Sequence, residues 1–181
     1  TIQITDTRMD RSSGRHLHVP AIGAPTLAPG DKVTATIDWK RRHRLMRMHT
    51  LLHLICATVD ADITGCQIGL EKSRIDLNTR GKPDKDVIQA KLDELIAKDL
   101  PTAAQWITDK ELAAQPELVK TMSVSPPTGI GEVRLIAVEG IDLQPCGGTH
   151  VASIGEIGRV RIGKIENKGK QNRRINGHLE D

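Results

Sequence analysis

The sequence predicts an α+β fold: a two-layer sandwich of helices on a mostly antiparallel sheet, preceded by part of a small β-rich domain. Two observations carry this. Apolar residues recur at helical spacing in two long stretches, and these stretches are interleaved with short β-type runs punctuated by Gly, Pro, Asn and Asp. A third observation limits the core. The 181 residues are 38% hydrophobic but contain no Phe or Tyr and only Trp39 and Trp106, so the interior must be built from Ile, Leu, Val, Ala and Met.

In chain order, residues 2 to 39 hold the β-type runs IQITDT, HLHV and KVTATIDW, separated by DRSSG and GAPTLAPGD, which read as turns. Thr1 cannot be an initiator, so the sequence is expected to begin inside a longer protein or after processing. We place a partial β-rich unit at 1–39 and the main domain at 40–181. From 41 to 59, Leu45, Met46, Met48, Leu52, Ile55 and Val59 fall at helical spacing. A second helix runs through about 84–99 behind Pro83, with Val87, Ile88, Leu92, Leu95 and Ile96 as its apolar stripe. Thr108 and Glu111, at capping-box spacing, announce a short third helix. β-like runs are expected at 67–77, 133–143, 158–166 and 172–179, the last reached through the Asn-Lys-Gly turn at 167–169.

Three cysteines are too few and too odd for a disulfide framework. No apolar leader and no run of about 18 apolar residues is present, so a reducing cytoplasm is the expected compartment. The net charge of +3 is unevenly spread: residues 40–47, KRRHRLMR, hold five Lys or Arg, and residues 158–174 form a second basic cluster. Together they suggest a polyanionic partner, against the alternative of solvated faces.

Two residue pairs carry chemistry. His49 and His53 stand four apart on the first predicted helix, so both rings can address one point. Cys146 and His150 repeat the spacing in QPCGGTHVAS, adding a thiolate and a third imidazole, and His and Cys are the donors Zn²⁺ prefers. Four donors close a structural site, whereas three plus water make a catalytic one; the spacing leaves both open. Thr50 follows His49, so the general-base Glu of a His-Glu-x-x-His protease helix is absent. Cys56 and Cys66 have no partner pair and read as a core thiol and a small residue near the site.

The stretches HTLLH at 49–53, TGCQIGLEKSRIDL at 64–77 and QPCGGTHVASIGEIGRVRIGKIENKGKQNRRI at 144–175 resemble the editing domain of alanyl-tRNA synthetases and, more closely, its free-standing relatives, the alanyl-tRNA editing proteins. The resemblance spans roughly residues 30–178. It implies a zinc-dependent hydrolase that removes serine, and as an extension glycine, wrongly esterified to tRNA(Ala), with His49, His53, Cys146 and His150 as metal residues. Longer members of the family also carry a Gly-Gly-Gln segment in their amino-terminal β domain. That segment is missing from this sequence, so part of the tRNA contact surface is expected to lie outside it.

An ester is already activated, so water polarised or oriented by zinc can attack without a strong side-chain base. Gly147 and Gly148 would offer N–H groups to the oxyanion, and Thr149 a hydrogen bond to a ligand. By its place in the family motif, Thr64, with Gln67 as second choice, would bind the serine hydroxyl. Lys40, Arg41, Arg44, Arg47, Lys168, Lys170, Arg173 and Arg174 would meet phosphates. The rival readings are a zinc-stabilised tRNA-binding module without turnover, and threonyl-type editing of seryl-tRNA(Thr).

Overall fold

The computed structural model describes residues 1–10, 12–122 and 131–180. The chain divides into two units, Thr1–Thr36 and Ile37–Asp181. The first is a hairpin in which β1 (Ile4–Met9) pairs antiparallel with β2 (His16–Pro20). The run KVTATIDW, expected as a third β segment, is not a strand. Its residues are exposed throughout, so no apolar face is buried to hold a ladder, and its end is taken by a helix instead.

In the second unit that helix, α1 (Trp39–Val59), starts where the Asp38 side chain accepts from the Arg41 N–H at 2.9 Å. It ends at Asp60, whose backbone is left-handed at φ 50°. Thr50 to Cys56 are all buried, so α1 is the central rod of the domain. The helix α2 (Lys85–Ala97) is capped by Asp84 and buries Ile88 and Leu92. The expected capping box of Thr108 and Glu111 forms and opens α3 (Asp109–Ala113).

The strands of this unit make two antiparallel sheets. One has the order β3 (Asp62–Gln67), β4 (Ser73–Asn78), β9 (Asn172–Leu179), β8 (Val160–Asn167), with α1 and α2 packed on it. The other has the order β5 (Thr102–Thr108), β6 (Glu132–Val138), β7 (Asp142–Pro145). This is the α+β class expected, with three α-helices among the described residues. The run at 67–77 is corrected: it is the end of β3, a turn and then β4. Gly69 makes the break, since its N–H donates to Ser73 Oγ at 3.1 Å and a Cβ there would meet the Lys72 carbonyl at 2.5 Å. Likewise 133–143 is a hairpin of β6 and β7, turned by Gly140 at φ 69°.

Leu51, Leu54 and Ile55 of α1 join Ile75, Leu77, Ile162 and Ile175 of the four-stranded sheet and Leu92 of α2 in the main core. Leu112, Leu118, Val133 and Leu135 form a smaller core on one face of the three-stranded sheet. Among the described residues no helix is long and apolar enough to cross a membrane.

Candidate metal centre

His49 and His53 project from one face of α1, their ring centroids 5.1 Å apart. Opposite them, β7 leads into the loop bearing Cys146 and His150. The four ligand atoms lie within 4.8 Å of one another. Cys146 Sγ is 3.5 Å from His49 Nε2 and 3.4 Å from His150 Nε2. A tetrahedral ion bonded at about 2.3 Å to sulfur and about 2.0–2.1 Å to nitrogen sets neighbouring S and N donors about 3.5 Å apart. The donors therefore stand at coordination distances, as a metal would require.

Each ring is turned by its other nitrogen. His53 Nδ1 faces Asp142 Oδ2 at 2.9 Å, His150 Nδ1 faces Thr50 Oγ1 at 3.1 Å, and His49 Nδ1 faces the Thr149 carbonyl at 3.3 Å. Thr50 donates its own proton to the Met46 carbonyl at 3.0 Å, so its oxygen is the acceptor for His150. With every Nδ1 carrying its proton toward an acceptor, each Nε2 keeps a lone pair for the centre.

The electrostatics agree for Cys146 and His150, whereas His53 must give up a proton before its Nε2 can bind an ion. Burial opposes the Cys146 thiolate, yet hydrogen bonds from His150, His49 and His53 outweigh it and bring the thiol down to about 3. Burial, backed by the charges of His53 and His49, lowers His150 to about 4, with Cys146 offsetting only part. In His53 burial is overcome by the Asp142 carboxylate, which lifts the imidazole to about 9. Asp142 itself stays below the usual carboxylate range despite burial, because His53, Gln144 and Lys120 favour its charge.

The loop is held from outside. Arg134 on β6 donates from one guanidinium nitrogen to the Cys146 carbonyl at 3.0 Å and the Gly148 carbonyl at 2.7 Å. The Cys146 N–H returns a bond to the Arg134 carbonyl at 3.0 Å. Gly148 lies flat against a ligand ring: a Cβ there would fall 2.2 Å from His49 Cε1, whereas at Gly147 it would meet nothing within 4 Å. The Gly148 N–H points to Cys146 Sγ at 3.4 Å.

The remaining sequence-predicted residues differ in exposure and in partners. Thr64 on β3 is half-buried and donates to Asn172 Oδ1 at 3.1 Å, and Gln67 accepts from Arg74 Nε at 3.2 Å. Cys66, between them, is raised by burial and by the charge of Cys146, so β3 runs within electrostatic reach of the thiolate. Lys40, Arg41 and Lys170 are exposed, and Lys168 pairs with Glu166 at 2.8 Å. Other cations are engaged in the fold. Arg44 donates to the Leu70 carbonyl, Arg47 to that of Ile157, Arg173 to Asn167 and Gly169, and Arg174 grips Asp76 at 2.7 and 2.9 Å.

Sequence reasoning missed Thr50, Asp142, Gln144 and Arg134. One signal was available: Asp142, Gln144 and Cys146 alternate in IDLQPC, so a strand there puts all three on one face.

Residues 133–176 match the family described as the threonyl and alanyl tRNA synthetase second additional domain. The chain is 39% identical over 155 residues to the alanyl-tRNA editing protein AlaX-M of Methanosarcina acetivorans, covering 82% of this chain and 63% of that protein. It is 40% identical over 161 residues to AlaX-M of Methanosarcina barkeri, covering 86% and 66%. It is 29% identical over 175 residues to the alanine–tRNA ligase of Sulfurisphaera tokodaii, covering 92% of this chain but 19% of the ligase. The chain thus spans a little under two thirds of the AlaX-M proteins it matches.

Proposed function

Because this chain belongs to the family of the alanyl-tRNA editing proteins, we propose that it is a zinc-dependent aminoacyl-tRNA deacylase that cleaves the ester of serine misattached to tRNA(Ala), acting in trans in the cytoplasm. Glycine is the second substrate in this reading. The observation that carries it is the convergence of three Nδ1-anchored imidazoles on the Cys146 thiolate. This donor set, nitrogen and sulfur in matched pairs, suits Zn²⁺.

His49, His53, Cys146 and His150 would hold the ion, which when bound supplies Lewis acidity for attack on an ester carbonyl. The chain's own residues do the rest. Arg134 and Gly148 fix the loop so that Cys146 and His150 meet the helix pair without reorganisation. Gly147 and Gly148 supply backbone N–H groups beside the ester. Of the two, Gly147 has open space above it, and the Gly148 N–H already leans on the thiolate.

Serine is larger than alanine by a hydroxyl, so a pocket that cleaves seryl and spares alanyl esters must reward that hydroxyl rather than exclude bulk. Thr64 is the residue we assign to it, with Gln67 as the alternative. Phosphates would be met first by Lys40, Arg41, Lys168 and Lys170, which stand exposed, and by Arg44, Arg47, Arg173 and Arg174 only with the charge left over from their bonds within the fold.

The test is deacylation of seryl-tRNA(Ala), alanyl-tRNA(Ala) and seryl-tRNA(Thr) in parallel, with metal content measured on the same preparations. The reading expects turnover of the first alone, about one zinc per chain, and loss of both in Cys146→Ala and His53→Ala. Thr64→Val should slow seryl-tRNA(Ala) hydrolysis by roughly tenfold with zinc retained, the scale of one buried hydrogen bond. Metal and tRNA binding without turnover would make the chain a binding module. Cleavage of seryl-tRNA(Thr) alone would assign it to the threonyl branch.

A further inference from the structure

The three-stranded sheet orders its side chains in rows across the strands. Thr102 pairs with Val138 and Val138 with Asp142; Ala104 pairs with Ile136 and Ile136 with Gln144. Trp106 pairs with Arg134, and the Cys146 N–H bonded to the Arg134 carbonyl continues the ladder. Directly paired residues share a face, and residues two apart along a strand share it too. Trp106, Arg134 and Cys146 therefore form one row, on the face that carries Asp142 and Gln144 to His53.

Along this face Val138, Ile136, Asp142 and Gln144 are buried. The face is open along β5, its edge strand, where Ala104 is exposed and Trp106, in the row of Cys146, stays 60% exposed. Two strand spacings of about 4.8 Å separate its backbone from that of Cys146 by about 10 Å. An indole thus presents most of its surface to solvent on the face that carries the ligand loop.

We infer that Trp106 is the stacking platform for the terminal adenine of the tRNA acceptor end. This rests on the deacylase reading above, in which the ester to be cleaved is carried by the ribose of that same nucleotide. With the ester carbonyl at the metal centre, the base lies one sugar ring away, and it must turn toward one wall of the site. Trp106 is the aromatic wall on that side. The chain has no Phe or Tyr, and its other indole, Trp39, lies at the start of α1 stacked on His43, so Trp106 is the indole in the row of Cys146. Stacking on an indole also explains how a base is held where its edges need not be read, since every base offers a π face.

The experiment uses the two-tryptophan composition. In Trp39→Leu, Trp106 is the sole indole, and its emission is titrated with adenosine 5′-monophosphate and with ribose 5-phosphate, which lacks the base. Saturable quenching by the nucleotide alone is expected. Trp106→Leu in the protein that keeps Trp39 should abolish it. On seryl-tRNA(Ala) the same variant should raise KM roughly 5- to 150-fold at little cost in kcat or zinc content, the range for one stacked base at about 1–3 kcal/mol, and Trp106→Phe should restore most of it. If the wild-type chain cleaves no aminoacyl-tRNA while the nucleotide quenches Trp106, the deacylase reading falls and the base platform stands. If the wild type cleaves seryl-tRNA(Ala), Trp106→Leu matches it in KM and the titration is flat, the platform is wrong and the deacylase reading stands. A flat titration with self-association lost in Trp106→Leu would equally overturn it, giving the indole to a second copy of the chain.

Discussion

The two halves of the metal centre have the same sequence spacing and opposite construction. His49 and His53 are four residues apart because one helical turn separates them, and the helix that sets them is buried from Thr50 to Cys56. Cys146 and His150 are also four apart, yet they span a loop with no repeating hydrogen bonds. Their approach is set by groups distant in sequence: Arg134 across the sheet, the His49 ring against Gly148, and Thr50 across to His150. A ligand pair on a helix comes nearly free with the helix. A ligand pair on a loop must be tied at several points, so the loop half should be the more fragile under substitution.

The strongest way to break this contrast is Gly148→Ala. The added methyl would need the space occupied by His49 Cε1, 2.2 Å away, so either the ring or the loop must move. Zinc affinity should fall by about 100-fold, the upper range for a disturbed support of a ligand. Gly147→Ala, with nothing within 4 Å, should change it little. Competition with a chromogenic chelator measures both. Equal losses in the two variants would mean that loop flexibility, rather than contact with His49, is what the glycines supply.

The helix half also leans on groups outside the helix, His49 on the Thr149 carbonyl and His53 on Asp142, and Asp142→Asn probes the second. The amide oxygen can still accept from His53 Nδ1, but the negative charge that faces His53 and Lys120 is gone. Zinc affinity should drop by about tenfold with the protein still folded, read by the same titration alongside thermal unfolding. A loss as large as that of Gly148→Ala would show the helix half to be no more self-sufficient than the loop.

The same division explains what could be read from the sequence. The helix pair, the capping box at Thr108 and the strand at 172–179 are local patterns, set by residues within a turn or two of one another, and the structure holds each of them. KVTATIDW alternates as a strand should, but alternation does not supply a partner strand, and this run has none among the described residues. The strand β5, TAAQWIT, went unnoticed because its two alanines and a glutamine dilute the β-branched signal; its pairing with β6 defines it instead. Arg134 is the clearest case of a non-local role. Nothing near it in sequence marks it, and it acquires its work only from a register that sets residue 134 beside residue 146.

Thr50 joins the two halves, and its replacement should give the smallest effect. Its hydroxyl sits on the helix between the two histidines, donates to the Met46 carbonyl within the helix, and accepts from His150 of the loop. Thr50→Val keeps the β-branched shape in a fully buried position, so no cavity opens and the helix face is preserved. What is lost is the acceptor for the His150 imidazole N–H and, at a longer 3.4 Å, for the Val151 N–H, a cost of about 1–3 kcal/mol for a group that stays unpaired. Part of this is recovered because the Met46 carbonyl keeps its helical bond, and part because a bound ion still draws the His150 ring into place. Zinc affinity should therefore fall by only about three- to tenfold, and Thr50→Ser, which restores the oxygen, should return it to near the original value. If Thr50→Val costs nothing, His150 is oriented by the Gly148 and Arg134 contacts alone, and the loop half is more independent of α1 than its hydrogen bonds suggest. If the valine costs as much as Asp142→Asn, the helix steers both pairs, and the contrast between a self-built half and a tethered half gives way to a single helix-centred frame.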